Sequence, residues 1–140
     1  MLKNVTNPEY LVNEEVRNRA MSSSKAKNTK HYVAKENGNE IGFVAIDANP
    51  NVEYLVLYEI FVPRNLRKKG YGSTLLAEVE SMAKILKYRK VIVNPEPFER
   101  DYPKSQLIKW YKSHGYCEKV SGTGELEKVV NETYTNNQLN

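Results

Sequence analysis

Residues 58–87 read YEIFVPRNLRKKGYGSTLLAEVESMAKILK, and the fold turns on this stretch. An apolar run ends at Val62-Pro63. A basic, glycine-containing turn follows from Arg64 to Gly72, and then a long segment with helical periodicity. Strand, cationic turn and helix together suit an anion. The first N–H groups of a helix have no internal partners, and the helix dipole adds partial positive charge there. Gly70 and Gly72 let the backbone approach closely, while Arg67, Lys68 and Lys69 add full charges. A Gly-x-Gly pair alone would be read as an ordinary helix-start turn; the adjacent cations and the preceding strand favour phosphate. A Rossmann turn is disfavoured because Leu75 stands where a third glycine is expected, and a P-loop is excluded because no G-K-[S/T] occurs.

Working outward, Leu75, Leu76, Val79, Met82, Ala83 and Leu86 mark one face of the helix. Lys90 to Asn94 is a short strand, so strand, helix and strand form a βαβ unit with parallel strands. Upstream, Glu53 to Val62 is a long apolar run whose residues hardly alternate, which predicts a central strand covered on both faces. His31 to Lys35 and Ile41 to Asp47 are strand-like and flank Asn37-Gly38, a hairpin signal. Leu2 to Val5 suits a short first strand. Asn7-Pro8-Glu9 predicts a helix start, with Leu11, Val12, Val16 and Ala20 at helical spacing. Met21 to Lys30 reads as a polar loop.

Downstream, Pro95 to Tyr102 is a proline-containing loop. Pro103 opens a helix with Leu107, Ile108 and Tyr111 inward and Gly115 at its C-cap. Tyr116 to Val120 and Leu126 to Val130 are strands joined by a turn containing Gly122 and Gly124. The sum is an α/β domain over residues 1–131, with a polar tail at 132–140.

The chain has 140 residues, 40% hydrophobic and 27% charged, with a net charge of +4. That is ordinary for one globular domain. The modest charge and the lack of a basic stripe interleaved with aromatics argue against nucleic acid as partner. No apolar run approaches the roughly 20 residues of a membrane span, and residues 1–10 lack a signal-peptide core. Both point away from a membrane and to the cytoplasm. One cysteine, Cys117, excludes an internal disulfide, and with only His31 and His114 no metal site is expected. Cys117 reads as a small buried strand residue. The histidines read as surface or cap residues.

Arg67-Lys68-Lys69-Gly70-Tyr71-Gly72 resembles the R/Q-x-x-G-x-G/A motif of the GNAT superfamily of N-acetyltransferases. Trp110-Tyr111-Lys112-Ser113-His114-Gly115-Tyr116 is similar to the family's late aromatic-Tyr-x-x-x-Gly-aromatic element. The order of the two, and the strand and helix around the first, also match. The resemblance implies an α+β-type fold whose mixed sheet splays around acetyl-CoA or a related acyl-CoA. It implies that Arg67, Lys68, Lys69, Gly70, Tyr71, Gly72, Ser73 and Thr74 hold the pyrophosphate. It places the pantetheine arm along Ile60, Phe61 and Val62, and makes Tyr111 the general acid. Where family members often carry an asparagine before the late tyrosine, this chain has Pro103-Lys104-Ser105.

The chemistry of the residues agrees. Acyl transfer from a thioester to an amine requires an oxyanion donor, such as a backbone N–H near Val62. It requires an acid near the leaving thiolate, and a phenol suits that role. It also requires a route for the ammonium proton. Glu59 on the central strand is one candidate base and Glu53 at its start is another. Without the family, Tyr111 would be read as core packing and Glu59 as a solvated or paired residue. The expected function is direct N-acetyl transfer, in a ternary complex, to a primary amine on a small molecule or a protein. The alternative is an acyl-CoA-binding regulator without transfer activity. The closing strands also suit pairing between two copies as a homodimer.

Overall fold

Asn37 (φ 52°) and Gly38 (φ 82°) both take left-handed backbone, as a two-residue hairpin turn requires. They join β2 (Thr29–Glu36) to β3 (Asn39–Asp47). The computed structural model describes residues 1–97, 102–119 and 123–131. The expectations at Val120, at Gly122, at residues 98–101 of the proline loop and at the 132–140 tail lie outside the described residues.

With β1 (Leu2–Asn4), β4 (Tyr54–Phe61), β5 (Lys90–Val93), β6 (Cys117–Glu118) and β7 (Leu126–Val129), the strands form one sheet of order β1-β2-β3-β4-β5-β7-β6. Among the described strands, β4 and β5 are the parallel pair. The helix α2 (Tyr71–Ile85) provides the crossover that a parallel pair needs. The helices α1 (Glu14–Ser22) and α3 (Lys104–Ser113) complete a mixed, mostly antiparallel α/β fold of the α+β type.

Each sheet face has its own core. Val44, Ile46, Leu55 and Leu57 pack with Leu75, Leu76 and Val79 of α2. Phe43, Ala45 and Phe61 pack with Val16 and Ala20 of α1 on the other face. Each large side chain buried this way contributes roughly 1.5–3 kcal/mol, enough to fix both helices on the sheet.

One irregularity in β4 sets up the site. Ala45 pairs with Glu59 while the next residue, Ile46, pairs with Leu57. Tyr58 is therefore an extra residue, a β-bulge, and its side chain is 56% exposed. The bulge resets the alternation. Leu57 and Ile60 both join the α2-side core, while Glu59 and Phe61 face α1. Bulges re-aim side chains in this way beside active sites. The pairing of β4 with β5 also stops at Leu57 and Val93. Beyond that point β4 continues to Phe61, and a cleft opens between the strands.

Several expectations are corrected. Asn7-Pro8-Glu9 starts only a single 3₁₀ turn, Pro8–Tyr10, because the Asn7 side chain makes no cap bond. Helix α1 starts at Asn13, whose side chain accepts from the Val16 N–H at 3.0 Å. Glu40 accepts from the N–H groups of Val12 and Asn13, at 3.0 and 2.7 Å, and holds the entry in place. Val12 consequently lies outside the helix and is exposed. Helix α2 ends at Ile85, so Leu86 is a half-exposed cap residue rather than part of the buried stripe. The run Glu53 to Val62 contains the central strand β4, but the exposed Tyr58 interrupts its cover. Cys117 is exposed, because β6 lies at the sheet edge. His31 is buried, edge-on to Phe43 at 5.1 Å, with Nε2 against the Ser24 carbonyl.

Candidate active site

The turn before α2 is shaped by backbone geometry. Lys68 (φ 64°) and Gly70 (φ 86°) both take left-handed conformations. Gly70 is the N-cap of α2 and offers no side chain to the helix start. The first N–H groups of α2 therefore stay available for an anion. Thr74 is spent internally: its N–H and hydroxyl both donate to the Gly70 carbonyl. Arg67 folds back, its Nε donating to the Val62 carbonyl at 2.8 Å and its guanidinium lying 5.7 Å from the Phe61 ring centroid. Arg67 thus braces the turn against the end of β4.

The cleft that starts at this turn is lined by residues 58–62, 66–68, 70–73 and 93–97, with Tyr102, Leu107, Trp110 and Tyr111. Its volume is about 300 Å³, at the lower end of the range for small-molecule sites. Of the expected coenzyme residues, Ile60, Phe61, Val62, Arg67, Lys68, Gly70, Tyr71, Gly72 and Ser73 line it. Lys69 and Thr74 stand outside its wall, Lys69 exposed and Thr74 turned to Gly70.

Helix α3 forms the next wall. Pro103 precedes it and Gly115 (φ 94°) follows it, the pattern of a helix that ends in a left-handed residue. Tyr111 is 5% exposed and lines the cleft. Its ring packs edge-on between Trp110 and Tyr116, at 4.9 and 5.6 Å. Burial pushes the phenol well above its ordinary value, so the hydroxyl keeps its proton. Trp110 lies against the turn, with its ring edge 3.4 Å from where a Cβ on Gly72 would sit.

Glu59 enters from the opposite face. Arg19 of α1 donates to its Oε2 through Nε at 3.1 Å and Nη2 at 2.7 Å. The Ser23 hydroxyl donates to its Oε1 at 2.6 Å. The Glu59 side chain is 9% exposed. Such charge-assisted, two-point pairing fixes a carboxylate firmly. Glu53, the other candidate base, is not brought to the cleft; it lies 3.8 Å from Arg89 beside the start of β5.

Sequence reasoning missed Arg19, Ser23 and Trp110 as site components, and it missed the tie between His114 and Ser73 (2.9 Å). Arg19 and Ser23 lie 40 and 36 residues from Glu59 in sequence, with no local pattern to announce them. Trp110 was legible as an aromatic of the late element, but not its place beside Gly72.

The residues present fit an acyl-CoA. An uncapped helix start beside Lys68 suits a pyrophosphate. The free edge of β4 and the apolar lining suit an extended amide-containing arm. Comparison with known proteins agrees with this class. The acetyltransferase (GNAT) domain model matches residues 27–118, well over half of the chain. The chain belongs to the GNAT acetyltransferase family, whose members are acyl-CoA-dependent acyltransferases.

Among solved structures, the chain is similar to a GNAT family acetyltransferase from Elizabethkingia anophelis with acetyl-CoA bound. That protein is 17% identical, with a TM-score of 0.61 over 92% of this chain and 97% of that one. The chain is also similar to an IAA acetyltransferase from Bacillus cereus, 18% identical, with a TM-score of 0.60 over 92% of this chain and 98% of that one. The AtaTR structure bound with AcCoA gives a TM-score of 0.64 at 14% identity, over 99% of this chain and 97% of that one. At these identities the likeness is one of fold. No curated protein matches the sequence. Among the described residues, no helix is long and apolar enough to cross a membrane.

Proposed function

We propose that this chain is an N-acetyltransferase that carries the acetyl group of acetyl-CoA directly to a primary amine in a ternary complex. The observation that carries the reading is a single cleft joining an uncapped helix start, at residues 70–73, to a buried phenol, Tyr111. Acetyl-CoA supplies the acetyl group as an activated thioester. The N–H groups at the start of α2 and Lys68 hold the pyrophosphate. The free edge of β4 at residues 60–62 orders the pantetheine arm, and a backbone N–H near Val62 faces the carbonyl oxygen. Tyr111, kept protonated by burial, donates to the leaving sulfur.

Glu59 faces α1, away from Tyr111's side of the sheet, so donor and acceptor approach the cleft from opposite faces. In this reading Glu59 receives the acceptor's ammonium proton through a water. The acceptor is a small-molecule or protein amine, and the reaction belongs in the cytoplasm. A second reading, an acyl-CoA-binding module without transfer, is favoured by one feature: both Glu59 oxygens are already engaged by Arg19 and Ser23.

Titration calorimetry tests the donor site. Acetyl-CoA should bind the native chain and fail to bind Arg67→Ala or Gly70→Pro. Unchanged affinity in both variants would remove the turn from the site.

A further inference from the structure

We infer that His114, behind the cleft wall, is a positioning residue that couples donor binding to the uptake of one proton. The inference rests on the donor-site reading above. His114 caps α3 and its ring contacts Ser73 in the first turn of α2, Nε2 to Oγ at 2.9 Å. Its Nδ1 lies 2.8 Å from the Trp110 carbonyl. A carbonyl can only accept, so Nδ1 carries the hydrogen. In the neutral ring Nε2 is then bare, and it must accept the Ser73 hydroxyl hydrogen.

This arrangement is unsuited to an anion. With its hydrogen turned to His114, Ser73 presents lone pairs to the cleft that it lines. Protonating His114 reverses the bond. A proton taken from solvent forms an Nε2–H bond, which donates to Ser73 Oγ. The Ser73 O–H then rotates toward the cleft and donates to a pyrophosphate oxygen. The imidazolium also adds a positive charge behind the helix start. Pyrophosphate binding and protonation of His114 therefore favour one another.

The surrounding charges leave this linkage to His114. Lys128 of β7 donates to the His114 carbonyl at 2.9 Å, not to the ring, and pairs with Glu80 of α2 at 3.1 Å. Tyr116 donates to Glu80 at 2.9 Å, and burial, then Glu80, raise its phenol. On α3, Ser113 Oγ lies 3.2 Å from Nδ1, and the Trp110 ring stacks at a tilt 4.5 Å from the imidazole. The same ring neighbours Gly72, so the donor turn is tied to the helix carrying Tyr111 by two adjacent contacts.

The test is calorimetry of dephospho-CoA binding in buffers of different ionisation enthalpy, with the His114 titration followed by NMR. Dephospho-CoA is chosen because its pyrophosphate, unlike the 3′-phosphate of CoA, has no proton to exchange near neutrality. The native chain should take up a proton on binding. Its Kd should rise with pH by up to about tenfold per unit, the limit for one linked proton. In His114→Gln, which keeps a hydrogen-bonding group near Ser73, uptake should vanish, and in Ser73→Ala, which keeps the imidazolium charge but loses the relayed hydrogen bond, it should shrink. Binding without linked uptake in the native chain, or equal uptake in all three proteins, would overturn the inference alone. Failure of the native chain to bind either CoA or dephospho-CoA would overturn the donor site with it.

Discussion

The two walls of the cleft are built differently. The proposed donor wall is made within one short stretch, residues 62–74, largely from backbone: left-handed Lys68 and Gly70, an uncapped helix start, and Arg67 braced on the Val62 carbonyl. Where we propose that the acceptor enters, the wall residue Glu59 is held from behind by Arg19 and Ser23, side chains far apart in sequence, next to a bulge. A wall of backbone amides recognises any pyrophosphate and yields mainly to changes in chain geometry. A wall of side chains can be re-specified by substitution, so the second wall is where a choice of acceptor can be encoded.

The substitution that should separate the walls most sharply is Gly70→Pro, which forces φ away from its left-handed value. Acetyl-CoA binding should be lost. Gly70→Ala meets no neighbouring atom, so its cost is the left-handed backbone alone, about 1–2 kcal/mol. It should weaken binding by roughly tenfold if that strain is relieved in the free turn. Calorimetry on the pair reads both.

Tyr111→Phe should lower kcat by about a hundredfold or more, leaving acetyl-CoA affinity near its native value. Steady-state kinetics beside calorimetry would show the split, and unchanged turnover would remove Tyr111 from the chemistry.

On the other wall, Glu59→Gln should replace the charge-assisted bonds from Arg19 with weaker neutral ones and reduce stability by about 1–3 kcal/mol. Acceptor KM should rise while acetyl-CoA affinity holds. Denaturant titration and kinetics check the two effects, and an equal loss on the donor side would mean that the walls are not independent.

The smallest effect concerns alkaline pH. Burial raises the Tyr111 phenol, and burial with Glu80 raises that of Tyr116. The unfolded chain ionises tyrosine near pH 10 while the folded chain holds these protons. Stability should therefore be intact below about pH 10 and fall as pH rises beyond it. The Tm of Tyr116→Phe should fall less steeply over that range than that of the native chain.

The turn before α2 was legible in sequence because its parts are adjacent. The Gly70-x-Gly72 spacing, the three cations and the periodicity after them could be read in one window. The Asn37-Gly38 hairpin was equally local. What escaped was set by contacts across the sequence. Asn13 won the helix start from Asn7 because Glu40, on the far hairpin, holds its N–H. The bulge at Tyr58 exists only in the pairing with β3, and with it the side to which Glu59 turns. Cys117 was misplaced because a two-residue edge strand carries no burial signal of its own.

The central claim is transfer to an amine, and it is tested most directly by following CoA release from acetyl-CoA across a panel of small-molecule and peptide amines. The account predicts that at least one amine accelerates release and yields its N-acetyl product, and that Tyr111→Phe suppresses the acceleration. Slow release that no amine accelerates, from a chain that nonetheless binds acetyl-CoA, would contradict it and leave the binding module as the function of the fold.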